Sequence, residues 1–185
     1  FRRVLFRSYS YSGTGGAVGA SGYNTETSTI HSGAGTNTAS DTYNAGDTLA
    51  IGTNATVSEQ SNETVAIGKD SSAEKNTHYS TVIGQGAQAR EGASDSTVIG
   101  HGASSAARES VVIGRTANVA GTNSVRSTAM GWGAQVSNAY DAVALGAGSQ
   151  TSVNGGVALG AGAVASRDTS DLKSLPYDAA YANGG

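Results

Sequence analysis

A four-residue apolar phrase ending in glycine recurs eight times between residues 49 and 160, and this repeat constrains the fold more than any other feature. The copies are Leu49-Ala50-Ile51-Gly52, Val65-Ala66-Ile67-Gly68, Thr81-Val82-Ile83-Gly84, Thr97-Val98-Ile99-Gly100, Val111-Val112-Ile113-Gly114, Thr128-Ala129-Met130-Gly131, Val143-Ala144-Leu145-Gly146 and Val157-Ala158-Leu159-Gly160. Their glycines are separated by 16, 16, 16, 14, 17, 15 and 14 residues. Self-similarity at such a period is typical of a solenoid, in which each repeat stacks on its neighbours.

Each repeat predicts two short strands. The apolar phrase is the first, and a segment in which small apolar and polar residues alternate, such as Gln85-Gly86-Ala87-Gln88-Ala89, follows it. Alternation with a period of two is typical of a half-buried strand. Polar segments of variable length, such as residues 88–94 and 118–123, then form outer turns. The sequence therefore predicts an all-β parallel β-roll built from coils of 14–17 residues.

Composition supports a repetitive core over a single central one. The 185 residues include 27 glycines but only two Phe, one Trp and one Pro. Small side chains remove little apolar area from water, while every ordered residue costs about 1–2 kcal/mol of backbone entropy. Stacked ladders of equivalent residues would have to supply the core.

We expect the first and third positions of the phrase to face the coil interior. The third position would then form a continuous core ladder of Ile51, Ile67, Ile83, Ile99, Ile113, Met130, Leu145 and Leu159. The second position, always Ala or Val, would point outward as an apolar strip of the kind that marks an interface. The sequence leaves open which face is interior and which lies between chains, but one of them predicts self-association.

The repeat glycines are expected to serve packing. Glycine after the first strand fits a sharp bend with positive φ, or a close approach of two backbones, and either requirement explains its recurrence at one place. The structural glycines are Gly52, Gly68, Gly84, Gly100, Gly114, Gly131, Gly146 and Gly160.

The phrases V-A-I-G, V-A-L-G and T-A-M-G, each followed by x-G-A/S at this period, resemble the YadA-like head repeats of trimeric autotransporter adhesins. The resemblance covers residues 49–166. It implies a left-handed winding and a homotrimer of chains around a common axis. It also implies display on the outer membrane of a Gram-negative bacterium, and attachment to host matrix proteins, host cells or other bacteria.

One departure from the family concerns the two residues before the phrase. The family often has Asn-Ser there, whereas this chain has Asp47-Thr48, Glu63-Thr64, Asp95-Ser96, Glu109-Ser110 and Asp141-Ala142. Because stacked like charges repel, we expect these acidic side chains to reach water. The departure also means that the ligand of any one relative does not carry over.

The repeat divides the chain into four segments. Residues 1–8 are basic and aromatic and are expected to be extraneous to the fold, and residues 9–48 are expected to form degenerate coils. Residues 49–166 hold the head repeats, and residues 167–185 are an insertion or junction leading to a further coil. A stalk and a C-terminal membrane anchor, which such adhesins possess, are missing from the sequence, so we expect an internal fragment.

Charge and residue usage exclude several classes of partner. A net charge of −3 and a pI near 5.5 argue against nucleic acid. The lack of cysteine excludes disulfides and thiolate metal sites. No stretch has the roughly 20 apolar residues of a membrane helix, so we expect contact with a membrane only through the missing anchor.

No catalytic, cofactor or metal site is predicted. His31, His78 and His101 have no second ligand at a metal-like spacing, and the glycine pairs Gly84/Gly86 and Gly146/Gly148 are followed by no helical pattern that could present an amino end to a phosphate. Serine and threonine are abundant, but none is paired with a distinctive base. We therefore expect a protein that is not an enzyme.

Trp132 and His101 are candidate partner contacts. Both occupy the position directly after the repeat glycine, which other coils fill with Gln85, Arg115 or Ala147. If that position faces outward, Trp132 can anchor a partner. The alternative is burial of Trp132 between chains.

The predicted function is cell-surface adhesion, in which many weak contacts on a rigid rod add up to strong attachment. The alternative is a rigid, non-adhesive spacer that projects a distal tip. Ice binding would need an outward threonine in most coils, and the left-handed hexapeptide helices of acyltransferases have a period of six, so the sequence favours neither.

Overall fold

The computed structural model describes residues 27–30, 38–39, 48–58 and 60–166, and these form a parallel β-solenoid. One nine-stranded sheet, here called the apolar sheet, contains β1 (Thr27–Ile30), β3 (Thr48–Ile51), β5 (Val65–Ile67), β7 (Thr81–Ile83), β9 (Thr97–Ile99), β11 (Val111–Ile113), β13 (Thr128–Met130), β15 (Val143–Leu145) and β17 (Val157–Leu159). The other, the polar sheet, contains β2 (Thr38–Ala39), β4 (Thr56–Val57), β6 (Ser72–Ala73), β8 (Gln88–Ala89), β10 (Ser104–Ser105), β12 (Asn118–Ala120), β14 (Gln135–Ser137), β16 (Gln150–Thr151) and β18 (Val164–Ala165). The predicted all-β parallel roll is confirmed, while its left-handed winding and trimeric assembly stay predictions.

Equivalent residues of successive coils are stacked in register. Ile67 pairs with Ile83, and Val82 pairs with Val98, so each position of the phrase forms its own ladder along the solenoid. Every pairing in both sheets is parallel, and each strand pairs only with the strands of the coils before and after it. The chain is therefore held together between neighbouring coils, as in other solenoids.

The structure reverses the expected orientation of the apolar phrase. The second position faces the coil interior and is at most 2% exposed, as Ala50, Ala66, Val82, Val98, Val112, Ala129, Ala144 and Ala158. The third position, expected inside, lies on the outer face of the apolar sheet. It forms a ladder of half-buried Ile51, Ile67, Ile83, Ile99, Ile113 and Met130, which ends in the exposed Leu145 and Leu159. The larger aliphatic residues are thus on the outside of each coil.

The size of the coil interior explains this reversal. The largest fully buried side chains are valines, and the rest are Ala, Ser and Thr. A coil of about 15 residues folded into two narrow strands leaves room only for small side chains, since interiors pack as densely as organic crystals and tolerate no extra methylenes. Isoleucine therefore stays outside, and the second position is limited to Ala or Val.

The repeat glycines combine positive φ with close backbone approach. Gly68 has a φ of +132°, and a Cβ built on it would lie 2.5 Å from the carbonyl oxygen of Gly84 in the next coil. A φ in this region is open to glycine and strained for other residues. The same glycine that turns the corner thus lets adjacent coils keep their hydrogen bonds, such as Gly84 N–H to the Ile67 carbonyl at 2.8 Å.

A ladder of buried hydroxyls runs beside the apolar core. It consists of Thr48, Thr64, Ser80, Ser96, Ser110 and Ser127, which stand directly before the phrase and are at most 4% exposed. Ser127 is typical: its Oγ donates to the Ala139 carbonyl at 2.8 Å and accepts from the Ala142 N–H at 3.2 Å. These hydroxyls satisfy turn backbone groups that water cannot reach.

The regular coils extend in both directions through the described residues. Strand β1 pairs with β3, so that Ile30 matches Ile51, and β2 pairs with β4. The segments predicted to be extraneous (residues 1–8) and to form a junction (residues 167–185) lie outside the described residues.

Candidate functional site

The outer face of the apolar sheet is mostly aliphatic. It carries the third-position ladder and, beside it, the first positions of the phrase: Leu49, Val65, Thr81, Thr97, Val111, Thr128, Val143 and Val157. Exposure is greatest at the last described coil, where Val157 is 63% and Leu159 is 71% exposed. Three of the first positions are threonines, so the surface is continuously apolar along the third-position ladder, and an exposed apolar surface of this kind marks an interaction site.

The outer face of the polar sheet is chemically different. Its outward ladder reads Thr56, Ser72, Gln88, Ser104, Asn118, Gln135 and Gln150, and it ends in Val164, which is 64% exposed. Thr56 Oγ1 donates to Ser72 Oγ along this ladder at 3.1 Å, and Arg90 Nε donates to Ser104 Oγ at 3.1 Å. The two sheets therefore present an apolar and a hydrated side of the same rod.

Trp132 and His101 lie on one exposed corner of the solenoid, called here the basic corner. This corner is the ladder of residues that follow the repeat glycines, and it includes Lys69, His101, Arg115 and Trp132. Hydrogen bonds from Thr116 N–H to the His101 carbonyl and from Gly133 N–H to the Arg115 carbonyl, both 2.9 Å, fix the stacking of these coils. Trp132 is 64% exposed in this chain, and His101 is also exposed. The structure thus brings Trp132 and His101 onto one edge, two coils apart, with Arg115 between them.

The acidic residues that replace the family asparagine lie on a second corner, called here the acidic corner, and reach water. Glu63, Asp95, Glu109 and Asp141 are exposed, and each has a φ between +50° and +57°. Left-handed backbone conformations favour Asn and Asp over other non-glycine residues, which suits Asp95 and Asp141, while Tyr79 and Arg126 adopt the same conformation at this position in other coils. Asp47 lies outside the described residues.

Asp141 is paired across coils with Arg126. The guanidinium donates two hydrogen bonds, Nε to Oδ1 at 2.6 Å and Nη2 to Oδ2 at 2.9 Å. These hydrogen bonds, more than the charge attraction, lower the pKa of Asp141 below the ordinary value of 3.8 and raise that of Arg126. The pair neutralises the charge at this point of the corner.

The other groups considered for chemistry are not assembled into a site. Among the described residues, no group of three or more His, Asp and Glu could hold a metal ion. His78 Nδ1 accepts a hydrogen bond from the Asn62 backbone N–H at 3.3 Å, and His31 lies outside the described residues. Gly86 and Gly148 are corner residues with φ near +65°, and the described elements that follow them are strands, so no helix presents its amino end there.

No helix in the described part of the chain has the length and hydropathy needed to cross a membrane.

Fold and surfaces together define a non-globular repeat protein, a β-solenoid whose side chains form long surfaces on the outside of a narrow core. The family model described as "YadA head domain repeat (2 copies)" matches residues 44–71, 125–149 and 137–163. The same strand pairing continues through the coils between these segments. The comparison with curated proteins finds no match.

The chain contains YadA head repeats, and these indicate the head of a trimeric autotransporter adhesin. The YadA head is a non-enzymatic adhesin domain, in agreement with the expectation that this chain is not an enzyme. Adhesin heads of this family are exposed on the outer membranes of Gram-negative bacteria.

Proposed function

We propose that this chain adheres to host extracellular matrix or cell-surface proteins, or to other bacteria, as a homotrimer displayed on a Gram-negative outer membrane. The observation that carries the proposal is the contrast between its two sheets: one outer face is aliphatic along eight coils, and the other is polar. Packing of three apolar sheets against one another removes the aliphatic ladders from water and leaves the polar sheets and the corners to face partners.

The third-position ladder supports self-association, because no other described part of the coil covers its outer surface. Ile67, Ile83 and Ile99 are each half-buried by their ladder neighbours, yet their remaining surface points away from the coil interior. Closure by identical chains suits a surface that is itself repetitive, since a symmetric oligomer matches each rung with the same rung of its neighbours. In this assembly the core ladder expected from the sequence becomes the core between chains.

The oligomeric state tests this part of the proposal. Sedimentation equilibrium of the full chain is expected to give three times the chain mass of 18.3 kDa. Ile99→Lys places a charge on the aliphatic face and is expected to lower the mass to that of one chain. Gln88→Lys, on the outer face of the polar sheet, is the matched control and should leave the trimer intact. A wild-type chain that is folded and monomeric would refute the proposed assembly.

Trp132 and His101 are the proposed contacts with a partner. Exposed Trp is a frequent anchor of protein interfaces, because its ring contributes a large contact area with few rotatable bonds. The full chain is expected to bind immobilised matrix proteins or cultured cells, and Trp132→Ala is expected to weaken this binding. Tyr79→Ala is the control, since Tyr79 is 58% exposed on a different corner.

A spacer remains the second candidate, favoured by the uninterrupted stacking of nine strands in each sheet. Exchanging outer-turn residues, with the repeat glycines and interior ladders kept, separates the two functions. A spacer tolerates the exchange, whereas an adhesive surface loses binding. If the chain still binds after the outer-turn residues of all corners are exchanged, the adhesive function lies in another part of the protein.

A further inference from the structure

Three successive coils of decreasing length create a groove on the acidic corner. The coils that end at Gly131, Gly146 and Gly160 contain 17, 15 and 14 residues. All three have the same paired strands, so the differences fall in the turn between the polar and apolar sheets. The turn of the first coil therefore has two residues more than that of the second and three more than that of the third. The resulting open groove has a volume of about 480 Å³ and is lined by Asn123, Val125, Arg126, Asn138, Tyr140 and Asn154.

The polar side chains of the groove are held in place from below. Asn154 Oδ1 accepts a hydrogen bond from the Tyr140 backbone N–H at 3.2 Å, which fixes that amide and leaves its N–H groups as donors. The Asn138 side chain lies over Gly121, where a Cβ would collide with it. Gly121 thus makes room for the amide of Asn138.

The groove carries no net charge. Arg126, its only charged lining residue, is engaged by the two hydrogen bonds to Asp141. An exposed ion pair of this geometry keeps its planar groups side by side while it leaves carboxylate lone pairs and a guanidinium N–H group unused. It can therefore donate and accept hydrogen bonds without attracting a charged ligand.

Tyr140 supplies an aromatic surface among these polar groups. The side chain is 47% exposed. Tyr140 and Arg126 line the same groove. A tyrosine in this setting offers an apolar ring face and a polar edge to the same ligand.

We propose that this groove binds a neutral glycan, with a pyranose ring packed against Tyr140 and its hydroxyls bonded to the asparagine amides and the Arg126–Asp141 pair. Sugar hydroxyls both donate and accept, as amides and a neutral ion pair do, and the C–H face of a pyranose ring is apolar enough to lie on an aromatic ring.

Other classes of ligand fit the groove less well. An extended peptide would need a free strand edge, but the backbone N–H groups here are used: Asn138 bonds Ala120 at 3.0 Å, and Asp141 bonds Val125 at 3.0 Å. A sulfated or sialylated ligand would need an unpaired cation, and the guanidinium of the groove already has its carboxylate.

The inference rests on the proposed adhesive function in naming a ligand class for it, but it uses a different corner from Trp132. The full chain is applied to a glycan array that holds neutral glycans (terminal galactose, glucose, mannose, fucose and N-acetylhexosamines) beside sialylated and sulfated ones. Binding to at least one neutral glycan is expected, and the corresponding free monosaccharide should compete with it.

Variants then locate the site. Tyr140→Ala is expected to weaken binding of the neutral glycan about tenfold, whereas Tyr140→Phe keeps the ring and most of the affinity. Tyr79→Ala, which removes an exposed tyrosine from an earlier coil, should have no effect. Circular dichroism and the solution mass establish that each variant keeps the fold and assembly of the wild type.

Several results would overturn the inference: binding to acidic glycans only, no binding to any glycan, equal affinity in Tyr140→Ala, or a change in solution mass that assigns Tyr140 to a chain interface. A chain that adheres to cells but binds no neutral glycan would overturn this inference alone and leave the proposed adhesion standing. Glycan binding that depends on Tyr140, without any adhesion to cells or matrix, would support this inference and contradict the proposed adhesion.

Discussion

Replacement of Gly68 by alanine tests the physical basis of the stack. Gly68 has a φ of +132°, and its missing Cβ would lie 2.5 Å from the Gly84 carbonyl oxygen and 3.2 Å from the Gln85 nitrogen. Both neighbours are backbone atoms of the next coil, so no side chain can rotate to relieve the contact. The two coils must separate or the corner must change its conformation.

The expected loss in the free energy of unfolding has two contributions. A non-glycine residue in this region of backbone conformation costs about 1–3 kcal/mol. Separation of these two coils also weakens the hydrogen bonds between them at the corner, Gly84 N–H to Ile67 at 2.8 Å and Gly86 N–H to Lys69 at 2.9 Å, each with a net contribution of about 1 kcal/mol. Gly68→Ala is therefore expected to lower the free energy of unfolding by about 3–5 kcal/mol.

Urea denaturation followed by far-ultraviolet circular dichroism measures this loss. Hydrogen exchange should show that the amides that lose protection lie in residues 65–84. The control is Gly86→Ala, since Gly86 also has a positive φ, +63°, but a Cβ there meets nothing within 4 Å. Its expected cost is only about 1–2 kcal/mol, from the left-handed conformation alone. Equal losses in the two variants would refute the argument from close approach.

Three further predictions concern the core, the buried hydroxyls and the ion pair. Val98→Leu, inside the coil, should cost about 1–3 kcal/mol through overpacking, whereas Val164→Leu, on the outer face of the polar sheet where the side chain is 64% exposed, should be tolerated, as thermal unfolding of both will show. Ser127→Ala removes the acceptor of the buried Ala142 N–H and should lower the free energy of unfolding by about 1–3 kcal/mol in urea. The lowered pKa of Asp141 means that its ion pair stabilises the fold above pH 3.8 and that this contribution disappears as the pH falls through the folded-state value. The stability difference between wild type and Asp141→Asn, followed by denaturation from pH 7 to pH 2, should therefore change only in the acidic range, and high salt should reduce it.

The sequence was sufficient to predict the solenoid, because the period and the repeated glycine reflect a requirement that every coil shares. Gly68 must be glycine for the same reason as Gly84 and Gly131: each turns a corner directly beneath another backbone. This close approach recurs at seven of the eight repeat glycines, all but Gly160 of the last described coil, and so leaves a pattern that a single sequence can show.

The sequence left the interior face of the phrase open, and the expectation that the larger third-position residues face inward was wrong. Ile67 is more apolar than Ala66, yet Ala66 is the buried residue, since the coil is too narrow for isoleucine. The restriction of the second position to Ala or Val was visible in the sequence, and it indicates limited space more directly than it indicates an interface.

The groove around Tyr140 could not be predicted from any one coil. It depends on the difference in length between the turn that contains Asn123 and the two turns that follow it. The decrease from 17 to 15 to 14 residues was present in the spacing of the glycines, but it was treated as variation within turns. The spatial consequence of a length change appears only when the coils are stacked.

The chain advances only a short distance along the solenoid axis with each coil, and this short rise has a mechanical consequence. Each coil holds about 15 residues in a rise of about 4.8 Å, whereas the same residues span about 50 Å when fully extended. Because each coil bonds only to its neighbours, a pulling force can detach coils one at a time from an end. Every coil released lengthens the tether by roughly 45 Å, so the solenoid can yield to a sudden load in steps while the remaining coils stay folded.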